Sequence, residues 1–261
     1  MSYTLVSGYI NIETLETNNN NNMREQTFMI YKENGQKLIN LPIKKIIFID
    51  YRYIEQFQTN IYTKLISINF EDMEIYKYYK KVLERNMCVL SPNPNKDTAL
   101  YHIIQIAKTE FIKKAIELES EEHSNIFAWI DFGICKIFSS DVEFQYLISN
   151  ISKYITMDTD TIKHDMVKIP GCWTLNSSDI NNDFTRVNWY FCGGFFIGYK
   201  NVLLEFEKQV KKELTYIIDN ENTLIFEVNI WFRLWRKKYI LFDWYYGDHN
   251  SSMFVNLIKE T

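Results

Sequence analysis

The chain has 261 residues, of which 46% are hydrophobic, 16% aromatic and 24% charged, a balance that excludes intrinsic disorder and supports a large buried core. Lys and Arg number 29 against 33 Asp and Glu, so a net charge of -4 gives no reason to expect nucleic acid or an anionic membrane surface as partner. No window reaches about 18 apolar residues, and the opening MSYTLVSGYINIE lacks a basic leader, so the expectation is a cytoplasmic protein without a membrane span. The cysteines Cys88, Cys135, Cys172 and Cys192 form no CxxC pair and read as reduced core thiols.

In chain order, Tyr3 to Ile12 reads as a buried strand broken at Ser7-Gly8 that delivers a loop at its C-terminal end. Asn18 to Asn22 is a polar tract with no apolar area to bury, hence an exposed insert. Arg24 to Asn40 has helical spacing at Phe28, Met29, Tyr31 and Leu38, with Asn34-Gly35 as a stop signal. Lys44 to Asp50 is a continuous apolar run ending in a carboxylate, the pattern of a central parallel strand. Leu65 to Phe70 reads as a further strand, Met73 to Glu84 as a charged helix and Pro92 to Asn95 as a turn.

Apolar residues from Leu100 to Ile116 recur at helical spacing, predicting one helix over Asp97 to Leu118 capped by Asp97-Thr98. Ile126 to Gly133 is a second buried strand ending in an acid, Asp131. Asn176 to Asp183 reads as loop, and Trp189 to Gly198 as aromatic strand, glycine pair and apolar strand. Val202 to Ile218 is helical by its spacing, and an aromatic stretch from Phe226 to Tyr246 precedes Gly247-Asp248-His249-Asn250. Strands alternating with helices define an α/β protein.

Ligands of open parallel sheets bind outside the carboxyl ends of the strands, which brings forward Asp50 and Asp131. A hard carboxylate there suits Mg2+ or Mn2+ on a diphosphate; capping of a loop is the plain alternative. Lys108 and Arg24 are the cations expected near a diphosphate, against the reading of a solvated helix face. Gly193-Gly194 would allow close backbone approach to a sugar, with Trp189 and Phe191 as stacking rings, or would mark a strand bulge. Glu227 is the lone carboxylate of the apolar run LIFEVNIW: burial would suit it to a general base, while the alternative is a buried acid paired with a Lys or Arg. His102, His123 and His164 share no metal-ligand spacing with one another or with cysteine.

The segment KTEFIKKAIELESEEHSNIFAWIDFGI at 108–134 resembles the bacterial HtrL/YibB and WlaTC family, read as glycosyltransferases, in which a lysine-bearing helix precedes a W-[IV]-D-x-G strand. YTLVSGYINI, then Arg24 and Tyr31, IIFID, WYFCGGFFIG and EVNIW follow in the same collinear order. The resemblance implies a GT-A-like, Rossmann-type mixed sheet flanked by helices in a single domain over 1–261. Its nucleotide-binding half would span about 1–135 and its acceptor half about 136–261. It implies a metal-assisted, hexosyltransferase-type enzyme acting on a nucleotide-diphosphate sugar such as a UDP-sugar, with a glycan or glycoconjugate hydroxyl as acceptor.

Carried over by position, Val6, Ser7, Gly8 and Tyr9 would wall the base and ribose. Trp129 and Asp131 would meet the donor, and Asp131 with His249 would hold Mn2+ or Mg2+, although position 133 is Gly where a second Asp is usual. That departure supports the alternative of a catalytically inactive nucleotide-sugar or glycan-binding module. An α/β methyltransferase is disfavoured because no G-x-G-x-x-G follows the first strand.

Overall fold

The computed structural model describes residues 3–12, 15, 22–94, 96–119, 125–157, 162–174 and 183–259, with backbone alone at 22–27, 152 and 154–157. Of the predicted loops Asn18 to Asn22 and Asn176 to Asp183, residues 18–21 and 176–182 lie outside the described residues, as does the side chain of Arg24, while Asn22 is the first residue of a helix and not part of an insert. The elements run β1 (Tyr3–Tyr9), α1 (Asn22–Asn40), β2 (Lys45–Asp50), β3 (Thr63–Ile68), α2 (Tyr76–Glu84), β4 (Cys88–Val89), α3 (Ala99–Ile106), α4 (Lys108–Leu118), β5 (Ile126–Ile130) and α5 (Asp141–Met157). They continue with β6 (Met166–Gly171), β7 (Phe195–Tyr199), α6 (Lys200–Asn220), β8 (Thr223–Leu224), α7 (Glu227–Arg236), β9 (Leu241–Tyr246) and α8 (Ser252–Lys259).

Seven strands form one mixed sheet in the order β3-β2-β1-β5-β7-β6-β9, while β4 and β8 pair separately. β7 is antiparallel to both neighbours and every other pairing is parallel. In β2, β5 and β7 every residue is buried, because helices cover both faces and an apolar run is stable there without alternation.

The two-residue period of the strands sorts side chains into two cores. Val6, Ile46, Phe48 and Trp129 face one core, against Phe111 of α4, Phe206 of α6 and Trp231 of α7. Leu5, Ile47, Ile49 and Ile130 face the other, against Leu38 of α1, Phe144 of α5 and Phe254 of α8. Among the described residues no helix is long and apolar enough to cross a membrane.

Two elements depart from the sequence expectation. The predicted Asp97–Leu118 helix divides at Ala107, which ends α3 and begins α4; just beyond it, the Thr109 hydroxyl donates to the Ile106 carbonyl at 3.5 Å, competing with the regular ladder. Thr98 caps α3 as expected, accepting from Tyr101 N, while Asp97 instead accepts from Asn93 N in the preceding turn. Trp189 to Gly194 is a turn, not a strand, since its backbone bonds outward: Cys192 N donates to the Pro170 carbonyl and the Tyr190 carbonyl accepts from the Trp244 indole.

α1 covers the predicted helix to Asn40 and runs through Asn34-Gly35 without stopping. The glycine is there for close approach, since a Cβ would lie 1.9 Å from the Phe132 ring, which is itself buried against Tyr9 and Phe57. Gly35→Ala should therefore destabilise the protein by about 1–3 kcal/mol through overpacking, although alanine alone favours a helix by about 1 kcal/mol. Urea unfolding checks the sign: a stabilised variant would refute the packing role.

Candidate active site

From β1 the chain steps outward to β2 and β3, then returns to place β5 on the other side of β1. The strand order therefore reverses between β1 and β5, which are parallel, so their carboxyl ends open at one edge, the place where open α/β sheets bind ligands. Tyr9 ends β1, and Asp131 directly follows β5. The Tyr9 ring packs within 5.3–6.1 Å of the Phe28, Tyr31 and Phe132 centroids, making a mostly buried aromatic floor. Gly8 lies against Phe111, whose ring would stand 2.9 Å from an added Cβ.

A buried lysine occupies the centre of the site. Lys108, the first residue of α4, donates from Nζ to Glu227 Oε1 at 2.9 Å and to the Gly193 carbonyl at 3.0 Å, and lies 3.2 Å from Asp131 Oδ1. Burial pushes the ammonium toward neutrality, but the charges of Asp131 and Glu227 and their bonds outweigh it, and the net shift of its pKa is upward. It is thus a fixed cation at neutral pH.

Asp131 Oδ1 also accepts from the Trp129 indole at 2.8 Å, leaving Oδ2 without a protein partner among the described residues; the side chain is 38% exposed. Trp129 itself is buried and stacked on Phe111, so it orients Asp131 and presents no ring to a ligand. Gly193 is required here because a Cβ would sit 2.4 Å from Glu227 Oε1 and 3.0 Å from Lys108 Nζ. The Gly194 carbonyl in turn accepts from Asp131 N at 3.0 Å.

The turn that carries Gly193 is held by α7. Asn229 donates to the Asp183 carbonyl at 2.6 Å and the Arg186 carbonyl at 2.8 Å, and accepts from Asn188 N at 3.0 Å. Arg233 bridges Glu213 at 2.7 Å and Asp183 at 3.4 Å, and Arg236 also reaches Asp183. Sequence reasoning missed Asn229 and Arg233; two polar residues inside the buried stretch EVNIWFR are the trace they leave in the sequence.

The other expected residues divide. Val6 and Ser7 are strand residues wholly enclosed by protein, with the Ser7 hydroxyl donating to the Ile130 carbonyl at 2.7 Å, so neither offers a wall to a base. Asp50 is spent on structure: it accepts from the backbone of Asn11 and Arg52 and pairs with the Arg52 guanidinium. Glu227 is buried with Oε1 held by Lys108, the paired alternative and not the arrangement of a base free to meet an acceptor.

His249 lies in a different group. Its Nδ1 is 3.8 Å from Cys172 Sγ, and with Cys192 these form the cluster of potential metal donors found among the described residues, a cluster that excludes Asp131. The Cys192 thiol beside it, with a smaller contribution from His249, lowers the Cys172 pKa to about 6, against the opposing effect of burial. Of the cysteines, Cys135 and Cys192 are buried and Cys88 is exposed. With Gly at 133, one oxygen of Asp131 already shared by Lys108 and Trp129, and His249 turned to sulfur, the described residues do not fit the expected hard Mn2+ or Mg2+ site at Asp131.

Fold and site together define an α/β protein whose strand order reverses between β1 and β5, with Tyr9 and a lysine-anchored Asp131 at the carboxyl ends of those strands. The chain belongs to the HtrL_YibB family, described as bacterial protein of unknown function, whose model matches residues 2–249. No curated protein matches it. Among solved structures it is similar to a glycosyltransferase involved in the glycosylation of the major capsid of PBCV-1, at 12% identity and a TM-score of 0.41 over 100% of this chain and 92% of that one.

Removing the cation while keeping the carboxylates should expose the importance of the triad. Lys108→Met is expected to cost about 3–5 kcal/mol, because Glu227 is left buried and unpaired. Since the folded pKa of Lys108 is raised, its contribution is complete below the ordinary lysine value of about 10.4 and is lost as pH rises through the folded value. Chemical unfolding of both proteins across alkaline pH checks this: the gap between them should close only at the alkaline end.

Proposed function

We propose that the protein is a glycosyltransferase that binds a nucleotide-diphosphate sugar in the crevice between the ends of β1 and β5 and passes the sugar to a glycan hydroxyl. The observation that supports this best is the position of Asp131 at the strand-order reversal, with one oxygen fixed by Trp129 and Lys108 and the other turned toward solvent. The motif resemblance at 108–134 supports it independently, since it covers both Lys108 and Asp131.

In this reading Asp131 Oδ2 accepts hydrogen bonds from hydroxyls of the nucleotide sugar, and Tyr9 with its neighbouring rings floors the crevice. Lys108 and Glu227 are positioning residues: one fixes the Asp131 carboxylate, the other fixes Lys108. The exposed Lys136 lies 5.8 Å from the centre of the Tyr31 ring, beside the floor, and is the described cation best placed to meet a diphosphate. The second reading, a binding module without turnover, is favoured by Gly133 where a second carboxylate would stand.

Thermal denaturation against a panel of UDP-, GDP- and ADP-sugars, with and without Mn2+, tests donor binding: a ligand at 100 times its Kd adds about 2.7 kcal/mol. For the donor that binds, Asp131→Asn should lower kcat/KM about 10- to 100-fold, the value of one charge-assisted hydrogen bond. A donor that binds without any transfer or hydrolysis selects a nucleotide-sugar-binding module; no shift with any donor overturns the transferase reading and moves a glycan-binding module ahead of it.

A further inference from the structure

Beside the crevice, on the far side of the glycine pair, three soft donors converge from distant parts of the chain. Cys172 follows β6, Cys192 precedes β7 and His249 follows β9, so the ends of three adjacent strands meet there. The Cys172 and Cys192 sulfurs are 3.5 Å apart, Cys172 Sγ is 3.8 Å from His249 Nδ1, and all three donor atoms lie within 4.8 Å of one another. No disulfide joins the cysteines.

Tetrahedral zinc, with Zn–S of about 2.3 Å and Zn–N of about 2.0–2.1 Å, requires S···S edges of about 3.8 Å and S···N edges of about 3.6 Å. The Cys172–Cys192 and Cys172–His249 edges differ from these by a few tenths of an ångström, and the Cys192–His249 edge, within 4.8 Å, closes by side-chain rotation. Two thiolates and one imidazole favour a borderline or soft ion over Mg2+ or Ca2+. Cys192 is fully buried and His249 exposed, so three protein ligands would leave the fourth vertex on the solvent side for water. Asp248 stands at that rim, its Oδ1 3.1 Å from His249 Nδ1, and adds negative charge.

We propose that Cys172, Cys192 and His249 form a Cys2His site for a thiophilic divalent cation of the zinc class, separate from the Asp131 crevice. On binding, any proton still on either thiol or on His249 Nδ1 is released to solvent, Nδ1 gives up its contact with Asp248, both sulfurs coordinate as thiolates, and no oxidation takes place. The Cys192 thiol then exchanges its present bond to the Gly247 carbonyl, 3.1 Å away, for the metal. Because Cys192 adjoins Gly193, whose carbonyl holds Lys108, the ion would clamp the turn that carries the candidate active site.

The test uses the full chain, purified with a reductant, stripped with chelator and titrated with Zn2+ and with Co2+ as a spectroscopic probe. The expected result is one equivalent per chain, with tetrahedral d–d bands and a thiolate-to-cobalt charge-transfer band, together with a Zn2+-dependent rise in Tm. Cys172→Ser and His249→Ala change residues that are not fully buried, and each should weaken binding at least tenfold while keeping the native circular dichroism spectrum. Absence of stoichiometric binding to the reduced wild type overturns the proposal, as does unchanged binding in the Cys172→Ser/His249→Ala double variant. An as-purified chain 2 Da lighter than its reduced form, whose two thiols resist alkylation and which once reduced binds no metal, would identify a disulfide pair instead. None of these readouts depends on sugar transfer, so failure here leaves the transferase reading standing, and the reverse.

Discussion

The arrangement around the crevice depends on one buried ammonium. Lys108 is 4% exposed and begins α4, where the helix dipole is unfavourable to a cation, so its charge is tolerable only if carboxylates and a carbonyl surround it. Those partners come from three other places: the end of β5, the turn before β7 and the first turn of α7. Glu227 has the opposite relation to its own helix, since a carboxylate in a first turn is favoured by the dipole. The pair therefore draws two helix N-termini together across the sheet edge, and a shift of any one segment would leave a charge buried without its partner.

α7 serves the site twice. Its first residue completes the Lys108 triad, while Asn229, Arg233 and Arg236 follow at i, i+4 and i+7 and form one stripe toward the irregular 183–194 segment. That segment lacks regular backbone pairing, so its carbonyls and amides need side-chain partners when buried, which Asn229 and the Trp244 indole supply. The result is a rigid turn that can present the Gly193 carbonyl to a lysine, which an exposed loop could not do reliably.

What the sequence discloses follows from range. The apolar runs of β2 and β5, the Thr98 cap and the α6 periodicity are local properties, and each element lies where its pattern predicts. Glu227 and Lys108 were both visible as candidates, but the bond between them spans 119 positions, so a free base and a paired acid could not be told apart from the pattern. Likewise Cys172 and His249 are 77 residues apart and share no ligand spacing, and a strand order of β6 beside β9 is needed before they can meet. Trp189 to Cys192 reads as strand because three of its residues are aromatic; what prevents pairing is the set of outward bonds from its backbone.

Charge arithmetic constrains how such a site could treat a diphosphate. One cation set between two acids gives the triad a formal charge of minus one, so it does not attract an anion, and Lys108 is no free phosphate ligand. In the proposed transferase its role would be to hold the Asp131 side chain in one orientation, so that Oδ2 can meet neutral hydroxyls, which gain from a fixed acceptor already desolvated on one side. In the proposed transferase, attraction of the diphosphate then falls to cations outside the triad, of which Lys136 beside Tyr31 is the described example. Recognition of the sugar and neutralisation of the phosphates would thus be separate tasks on separate residues, with the buried lysine serving the first.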